Sequence, residues 1–142
     1  MRLPGGVYFA GQSSVWGGGT AFYDPALPGR IAGRAYLITA QQFADVAAQE
    51  MHREPDGVEL DLTTALTAGR DVLGPGRYET LIYSGDRLGH PLLTFTAAWR
   101  SVDVVHTAPA PAYLAMLATG LNETYGWNSD QIGAYLATMA AT

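Results

Sequence analysis

The sequence predicts a small α+β domain. Of its 142 residues, 48% are hydrophobic and only 15% are charged, which is enough apolar material to bury a core and argues against disorder. Short β-prone runs bounded by glycine and proline dominate the first third of the chain, and helical periodicity appears later. No internal repeat or linker is found, so we expect a single domain over residues 1–142.

Five strands are predicted. In the first third these are Val7–Ala10, Thr20–Tyr23 and Ile31–Ile38, each bounded by glycine- or proline-containing turns. Further on, Tyr78–Ser84 and Leu92–Ala97 are separated by a glycine-flanked polar stretch. We expect these last two to form a β-hairpin with a longer loop.

Three helices of several turns each are predicted. The first spans residues 41–53, where apolar side chains recur at helical spacing after Thr39, a residue that can cap a helix. The second spans residues 112–125 and is followed by a glycine suited to ending it. Ser129 is expected to cap a last helix carrying Ile132 and three further apolar side chains.

Composition and charge exclude several classes of function. The net charge is −5 and the eight cations are scattered singly, so a nucleic-acid partner is not expected. The absence of cysteine excludes disulfides, iron–sulfur clusters and cysteine-based zinc sites. We expect no metal and no cofactor. No apolar stretch approaches the ~18–20 residues that span a bilayer, and no signal peptide is recognised, so we expect a cytoplasmic protein without membrane contact.

Glu50 is the outstanding polar feature of the first helix. It follows Phe43 by seven residues and Val46 by four, so the three share one face of a helix with ~3.6 residues per turn. Burying a carboxylate favours its protonated form, which suits a general acid/base near neutral pH. In the alternative interpretation, Glu50 lies at the rim of this face, solvated or paired with His52 or Arg53.

Two stretches resemble a known family. Gly33–Ile38 (GRAYLI) and Phe43–Glu50 (FADVAAQE) are similar to a G-x-x-Y-x-L strand and the helix after it in the gamma-glutamylcyclotransferase-like family. The resemblance extends over residues 5–127. It implies a small mixed, barrel-like β-sheet of about five strands with flanking helices.

A closer resemblance is to an actinobacterial group within that family, whose members often carry the label histone deacetylase. The sequence does not support a deacetylase zinc site. Its three histidines, His52, His90 and His106, lie far apart and lack the spacing of metal ligands.

The family resemblance implies an intramolecular acyl transfer. In this chemistry the α-amine of a γ-glutamyl substrate attacks its own γ-carbonyl, which yields 5-oxoproline and a free amine without a metal. Closing a five-membered ring gives the reaction a large proximity advantage. Glu50 falls on the position of the family's catalytic acid/base, whereas the family's nearby aspartate is replaced by Ala47. The implied substrate is a small γ-glutamyl amine or peptide.

The substrate cradle of the family is missing from this sequence. Family members bind substrate with a YGSNL loop after their first strand, and we expect this chain to lack that strand and loop. Gly11, Gln12 and Ser13 form a glycine-polar turn after a strand and are the candidate substitute. Tyr78 is a further candidate for lining the pocket.

Two hypotheses about function follow. In the first, the chain is an enzyme that acts on γ-glutamyl amines through Glu50. In the second, it is a catalytically impaired binding or interaction module on the same fold. The missing strand would leave a sheet edge exposed, where a second copy or another chain can pair. A serine hydrolase using Ser13 or Ser14 is a distant third hypothesis, because no nucleophile-elbow pattern surrounds either residue.

Overall fold

The computed structural model describes residues 1–57 and 59–140, and this part of the chain has an α+β fold, as predicted. It divides into two compact units. We call Met1–Arg34 together with Trp99–Thr142 the split unit, and Ala35–Ala98 the inserted unit. The expectation of one domain over residues 1–142, three of which lie outside the described part, stays a prediction.

The split unit contains two pairs of antiparallel strands. Strand β1 (Arg2–Pro4) pairs with β4 (Arg30–Ala32), and β2 (Gly6–Ala10) pairs with β3 (Thr20–Asp24). Strands β2 and β3 confirm two of the sequence predictions almost residue for residue. Their inward side chains are aromatic, which is typical of a half-buried strand pair.

The third predicted strand, Ile31–Ile38, is wrong beyond Ala32. Its partner β1 is only three residues long, and the register ends where Arg2 faces Ala32. Pairing continues for one more residue, where the Gly33 N–H donates to the Met1 carbonyl at 2.9 Å, and positions 33–39 have no regular secondary structure. Leu37 is 79% exposed although its sequence context is typical of a buried strand.

Two helices complete the split unit. Helix α3 (Pro111–Tyr125) begins with a proline in its first turn and ends at Gly126, whose φ of 66° suits glycine. Helix α4 (Ser129–Ala140) is capped by Asn128 rather than by Ser129 as predicted. Asn128 and Gln131 exchange side-chain to backbone hydrogen bonds, each of 2.9 Å, which makes a reciprocal cap.

The core of the split unit is aromatic. Tyr8 and Phe22 are almost fully buried and stack with their ring centroids 5.6 Å apart. Trp99 packs edge-on against Phe22 at 5.6 Å, and Tyr113 packs edge-on against Phe9 at 6.2 Å. Both sequence segments of this unit thus contribute rings to one core.

Backbone pairing also joins the two segments of the split unit. The Thr107 N–H donates to the Phe9 carbonyl at 2.9 Å, and the Gly19 N–H donates to the Ala108 carbonyl at 2.9 Å. The two backbone segments approach so closely that a Cβ at Gly19 would lie 2.1 Å from the Thr107 carbonyl oxygen, far inside van der Waals contact. This close approach explains the glycines at 18 and 19.

The inserted unit combines a three-stranded antiparallel sheet with two helices. In chain order its elements are α1 (Ala40–Glu50), α2 (Thr63–Ala68), β5 (Arg70–Val72), β6 (Thr80–Arg87) and β7 (His90–Thr96). Strand β6 lies between β5 and β7. The predicted hairpin is therefore confirmed.

The hairpin turn is tighter than expected. Strand β6 runs on to Arg87, so only Leu88 and Gly89 connect the strands, with φ of 51° and 80°. Positive φ at both turn residues matches the right-handed twist of the flanking strands. A register shift between Tyr83 and Asp86 accommodates the extra length of β6.

The core of the inserted unit lies between α1, α2 and β6. Its fully buried members are Ala47, Met51, Ala65 and Leu81. Phe43 and Phe95 stack against this cluster with ring centroids 5.3 Å apart. Ala65 of helix α2 is fully buried where this helix packs against the sheet.

The described strands form three separate sheets and no closed barrel. The barrel-like arrangement in our sequence analysis is therefore not confirmed. Over the same residues, no helix combines the length and the apolar character needed to cross a membrane.

Gly19→Ala is expected to destabilise the protein by about 1–3 kcal/mol, because the new methyl group overlaps a backbone oxygen that cannot move alone. Urea denaturation followed by circular dichroism measures the change. Gly133→Ala is the matched control, since Gly133 lies in helix α4 with open space around it. That control should be neutral or stabilising by up to ~1 kcal/mol. Equal stability of the two variants would contradict the close approach.

Candidate functional site

Glu50 lies in the last turn of helix α1, and its side chain is exposed. The buried face of the helix runs through Ala44 and Ala47 to Met51, whereas Val46 is 38% exposed. Successive residues are ~100° apart around a helix, so the observed buried face is rotated about the helix axis by roughly one residue position from the predicted face. The prediction that Glu50 lies on the buried face is therefore wrong.

The orientation of helix α1 follows from its alanines. Ala44 and Ala47 are buried, whereas Val46, which the apolar spacing also predicts to face the core, is partly exposed. Glu50 consequently lies at the flank of the buried face, which is the alternative interpretation of its position. The argument from burial therefore no longer supports an acid/base role for Glu50, and the role implied by the family resemblance stays a prediction.

Both ends of helix α1 are well defined. At the start, Thr39 and Gln42 form the predicted capping box, with hydrogen bonds of 3.1 and 2.8 Å. At the end, the Arg53 N–H donates to the Ala48 carbonyl at 2.7 Å, and His52 adopts a left-handed φ of 53°. This is the arrangement of a Schellman motif, which fixes the turn that carries Glu50.

Arg53 does not serve as the partner of Glu50. Its guanidinium donates to the Glu79 carboxylate at 3.2 Å and to the Leu73 carbonyl at 3.4 Å. The carboxylate of Glu50 is exposed to solvent.

A shallow groove of about 150 Å³ lies beside helix α1. Its charged lining residues are Asp45, Arg53, Glu54, Asp56 and Glu59. Neither Glu50 nor Tyr78 is among the residues that line it. The inserted unit thus does not bring these two predicted site residues together around this groove.

Tyr78 precedes strand β6 and has an unusual backbone. Its φ is 57°, in the left-handed region that residues other than glycine rarely adopt. The side chain is half-buried. The conformation marks the turn between β5 and β6, where the Leu73 N–H donates to the Glu79 carbonyl at 2.8 Å.

Gly11, Gln12 and Ser13 belong to the split unit, whereas Glu50 and Tyr78 belong to the inserted unit. Gly11 has a φ of 69°, and both Gly11 and Gln12 are exposed. Ser13 is buried.

The Ser13 side chain stabilises its own turn. Its Oγ accepts the N–H groups of Val15 at 3.3 Å and Trp16 at 3.0 Å, and its own N–H donates to the Gly18 carbonyl at 2.7 Å. Short hydroxyl side chains often organise loops in this way. The N–H group of Ser13 is therefore already used within the loop, which weakens its role as a substrate cradle.

The structure also assembles a polar cluster that the sequence did not predict. The buried Asp24 carboxylate accepts the Ser101 N–H at 3.0 Å and the Ala26 N–H at 2.8 Å. The Ser101 Oγ lies 3.1 Å from Nε2 of His106, which is also 2.9 Å from the Ser101 carbonyl oxygen. The His106 ring stacks on Tyr8 at 5.3 Å.

This cluster has the residue types of a catalytic triad but not its arrangement. In a triad the carboxylate orients the histidine, whose free nitrogen accepts the serine proton. Here Asp24 binds backbone N–H groups of Ser101 and Ala26. Nε2 of His106 lies closer to the Ser101 carbonyl oxygen, which only accepts hydrogen bonds, than to the Ser101 hydroxyl, so its position is not that of a base aimed at this hydroxyl.

The cluster instead clamps the short 3-10 helix Ser101–Asp103 onto the end of strand β3. Asp24 and Ser101 are 77 residues apart in sequence, so no local pattern could reveal their contact. In the described residues, no group of three potential metal-binding side chains converges.

Comparisons of the chain with protein-family models, with curated proteins and with solved structures find no match. The resemblance to the gamma-glutamylcyclotransferase-like family therefore rests on short sequence motifs alone.

Asp24→Asn is expected to destabilise the protein by about 1–3 kcal/mol, because one amide oxygen cannot replace two carboxylate oxygens that each accept a backbone N–H, one of them buried. Thermal and urea denaturation measure the loss. Asp103→Asn, at an exposed position of the same 3-10 helix, should change stability by less than about 0.5 kcal/mol. A neutral effect of Asp24→Asn would show that the clamp does not stabilise the fold.

Proposed function

We propose that this chain is a gamma-glutamylcyclotransferase-like domain that releases an amine from a small γ-glutamyl substrate. Glu50 is the general acid/base. The similarity of Gly33–Ile38 and Phe43–Glu50 to that family supports the proposal. The structural observation that carries it is an accessible carboxylate at the end of a helix whose two ends are both fixed by capping hydrogen bonds. The family's barrel-like sheet is part of this proposal.

The reaction needs no nucleophile from the chain. Glu50 takes a proton from the substrate's α-ammonium group, and the freed amine attacks the γ-carbonyl carbon to form the new C–N bond. Glu50 delivers this proton to the departing nitrogen as the old C–N bond breaks. The ring nitrogen then loses its second proton, which Glu50 passes to the released amine. The products are 5-oxoproline and the ammonium form of the amine, so atoms and charges balance.

An accessible carboxylate suits this role because the substrate must reach it. A base on a fixed helix end keeps its position while the substrate cyclises, which is how orientation lowers an intramolecular barrier. The oxyanion that forms at the γ-carbonyl also needs N–H donors.

Glu50→Gln is expected to lower the rate of 5-oxoproline formation by about 10²–10⁴-fold, the usual contribution of a general acid/base. The measurement is chromatographic detection of 5-oxoproline from a panel of γ-glutamyl amines, amino acids and peptides. Glutamine is nearly the same size and cannot exchange the proton.

Glu123→Gln is the matched control, since Glu123 is an exposed glutamate in helix α3. It should leave turnover unchanged. Turnover that survives intact in Glu50→Gln would refute the role of Glu50, and a wild-type protein that forms no 5-oxoproline from any substrate would refute the enzymatic proposal.

A second candidate function is a catalytically impaired interaction module on the same fold. The hydrogen bonds of Ser13 favour it, because they engage the polar groups of the predicted cradle within the loop itself. Strand β7 lies at the edge of its sheet, and its residues from Leu92 to Thr96 are uncharged. Such an edge can pair with a second copy or another chain.

This second function predicts self-association that depends on strand β7. Leu93 and Phe95 pack on the core, so Thr94 points to the other face, and Thr94→Lys places a charge at the edge. Thr94 is half-buried opposite the buried Ile82, so circular dichroism must show that this variant is folded. Size-exclusion chromatography with light scattering should show dimers for the wild type and monomers for Thr94→Lys. Leu88→Lys, at a turn residue that is 91% exposed, should remain dimeric. A monomeric wild type would contradict the prediction.

A further inference from the structure

Three aromatic side chains gather where helix α3 ends and helix α4 begins. Tyr125 and Trp127 stack with ring centroids 4.8 Å apart, and Tyr135 packs on Trp127 at 5.5 Å with an interplanar angle of 63°. All three side chains are half-buried, so part of each ring remains accessible. We call Tyr125, Trp127 and Tyr135 the aromatic corner.

The guanidinium of Arg2 occupies this corner. Its central carbon lies 5.1 Å from the Trp127 ring centroid and 5.6 Å from the Tyr135 ring centroid. Both distances fall within the ~6 Å range of cation–π attraction. The charge of Arg2 thus lies against two ring faces.

The two tyrosine rings are held independently of the Arg2 side chain. The Tyr125 hydroxyl donates to the Gly33 carbonyl at 2.7 Å, and the Tyr135 hydroxyl accepts the Ala32 N–H at 2.9 Å. Trp127 packs against both of these rings. The Arg2 side chain is exposed and has many rotatable bonds, so its guanidinium can swing out while the tyrosines stay in place, and such preorganisation favours ligand binding.

Space for a ligand adjoins the corner. Tyr135 also lines a cavity of about 180 Å³, together with Thr138 and Met139 of helix α4 and the segments 5–7 and 28–31. Glycine at three of these positions leaves the lining short of side chains. A cation with an apolar substituent thus finds ring faces for its charge and a cavity beside them.

We propose that the aromatic corner is a binding site for an alkylated ammonium ligand, which displaces Arg2 as its internal occupant. Ring faces that meet at a steep angle are suited to weakly hydrated cations such as quaternary amines. The net charge of −5 favours the approach of a cation. The site lies in the split unit and does not involve Glu50, so it is independent of the proposed catalytic function.

The experiment titrates tetramethylammonium chloride against the wild type and Arg2→Ala, at constant ionic strength maintained with sodium chloride. The probe is the NMR signal of the Trp127 indole N–H, assigned with Trp127→Phe. We expect saturable binding in both proteins. Arg2→Ala should bind tetramethylammonium about fivefold more tightly than the wild type, because in the wild type the Arg2 guanidinium fills the site part of the time and so lowers the apparent affinity for the ligand. Arg2→Gln, which keeps much of the side-chain length, should behave like Arg2→Ala.

Controls separate binding from general effects. Arg87→Ala removes an arginine of the inserted unit and should bind like the wild type. Trp127→Ala should abolish the saturable response, followed here through the remaining tryptophans and ligand line widths. The proposal is overturned if neither wild type nor Arg2 variants show saturable binding. It is equally overturned if Arg2→Ala and Arg2→Gln, folded by circular dichroism, bind no tighter than the wild type.

Discussion

The split unit depends on one stretch of backbone pairing. Its two sequence segments meet where residues 9–19 lie against residues 106–109, through hydrogen bonds such as Thr107 to Phe9 and isolated bridges such as Gly18 to Pro109. Only glycine lets the two backbones come this close. The aromatic core, the clamp made by Asp24 and the packing of helix α3 all join these same two segments, so each of them presupposes the pairing.

Much of the local structure could be predicted from the sequence, because its causes are local. Thr39 and Gln42 are three residues apart, and the capping box they form is the predicted one. The hairpin of β6 and β7 also follows from neighbouring residues. The strand prediction beyond Ala32 was wrong because a strand needs a partner, and the length of β1 is not visible in the sequence of β4. Asn128 was overlooked as a cap because Ser129 is an equally good capping residue type.

The sites were harder to predict, because they depend on orientation and on distant contacts. Glu50 was placed correctly on a helix but on the wrong face, since alanines rather than valine turn toward the core. The cluster of Asp24, Ser101 and His106 joins residues up to 77 positions apart and leaves no periodic signal. The contact of Arg2 with Trp127 spans almost the whole chain, and nothing near Arg2 indicates an aromatic partner.

The inserted unit is one uninterrupted stretch of chain, and this affects how the protein tolerates evolutionary change in length. The entropy lost when a flexible loop closes grows only logarithmically, by about 0.6 kcal/mol for each doubling. Insertions or deletions between Ala35 and Ala98 that spare the inserted unit's own core would thus barely alter the pairing of Phe9 with Thr107. The split unit is tolerant of the number of residues between its two segments and intolerant of a single added carbon atom where they meet.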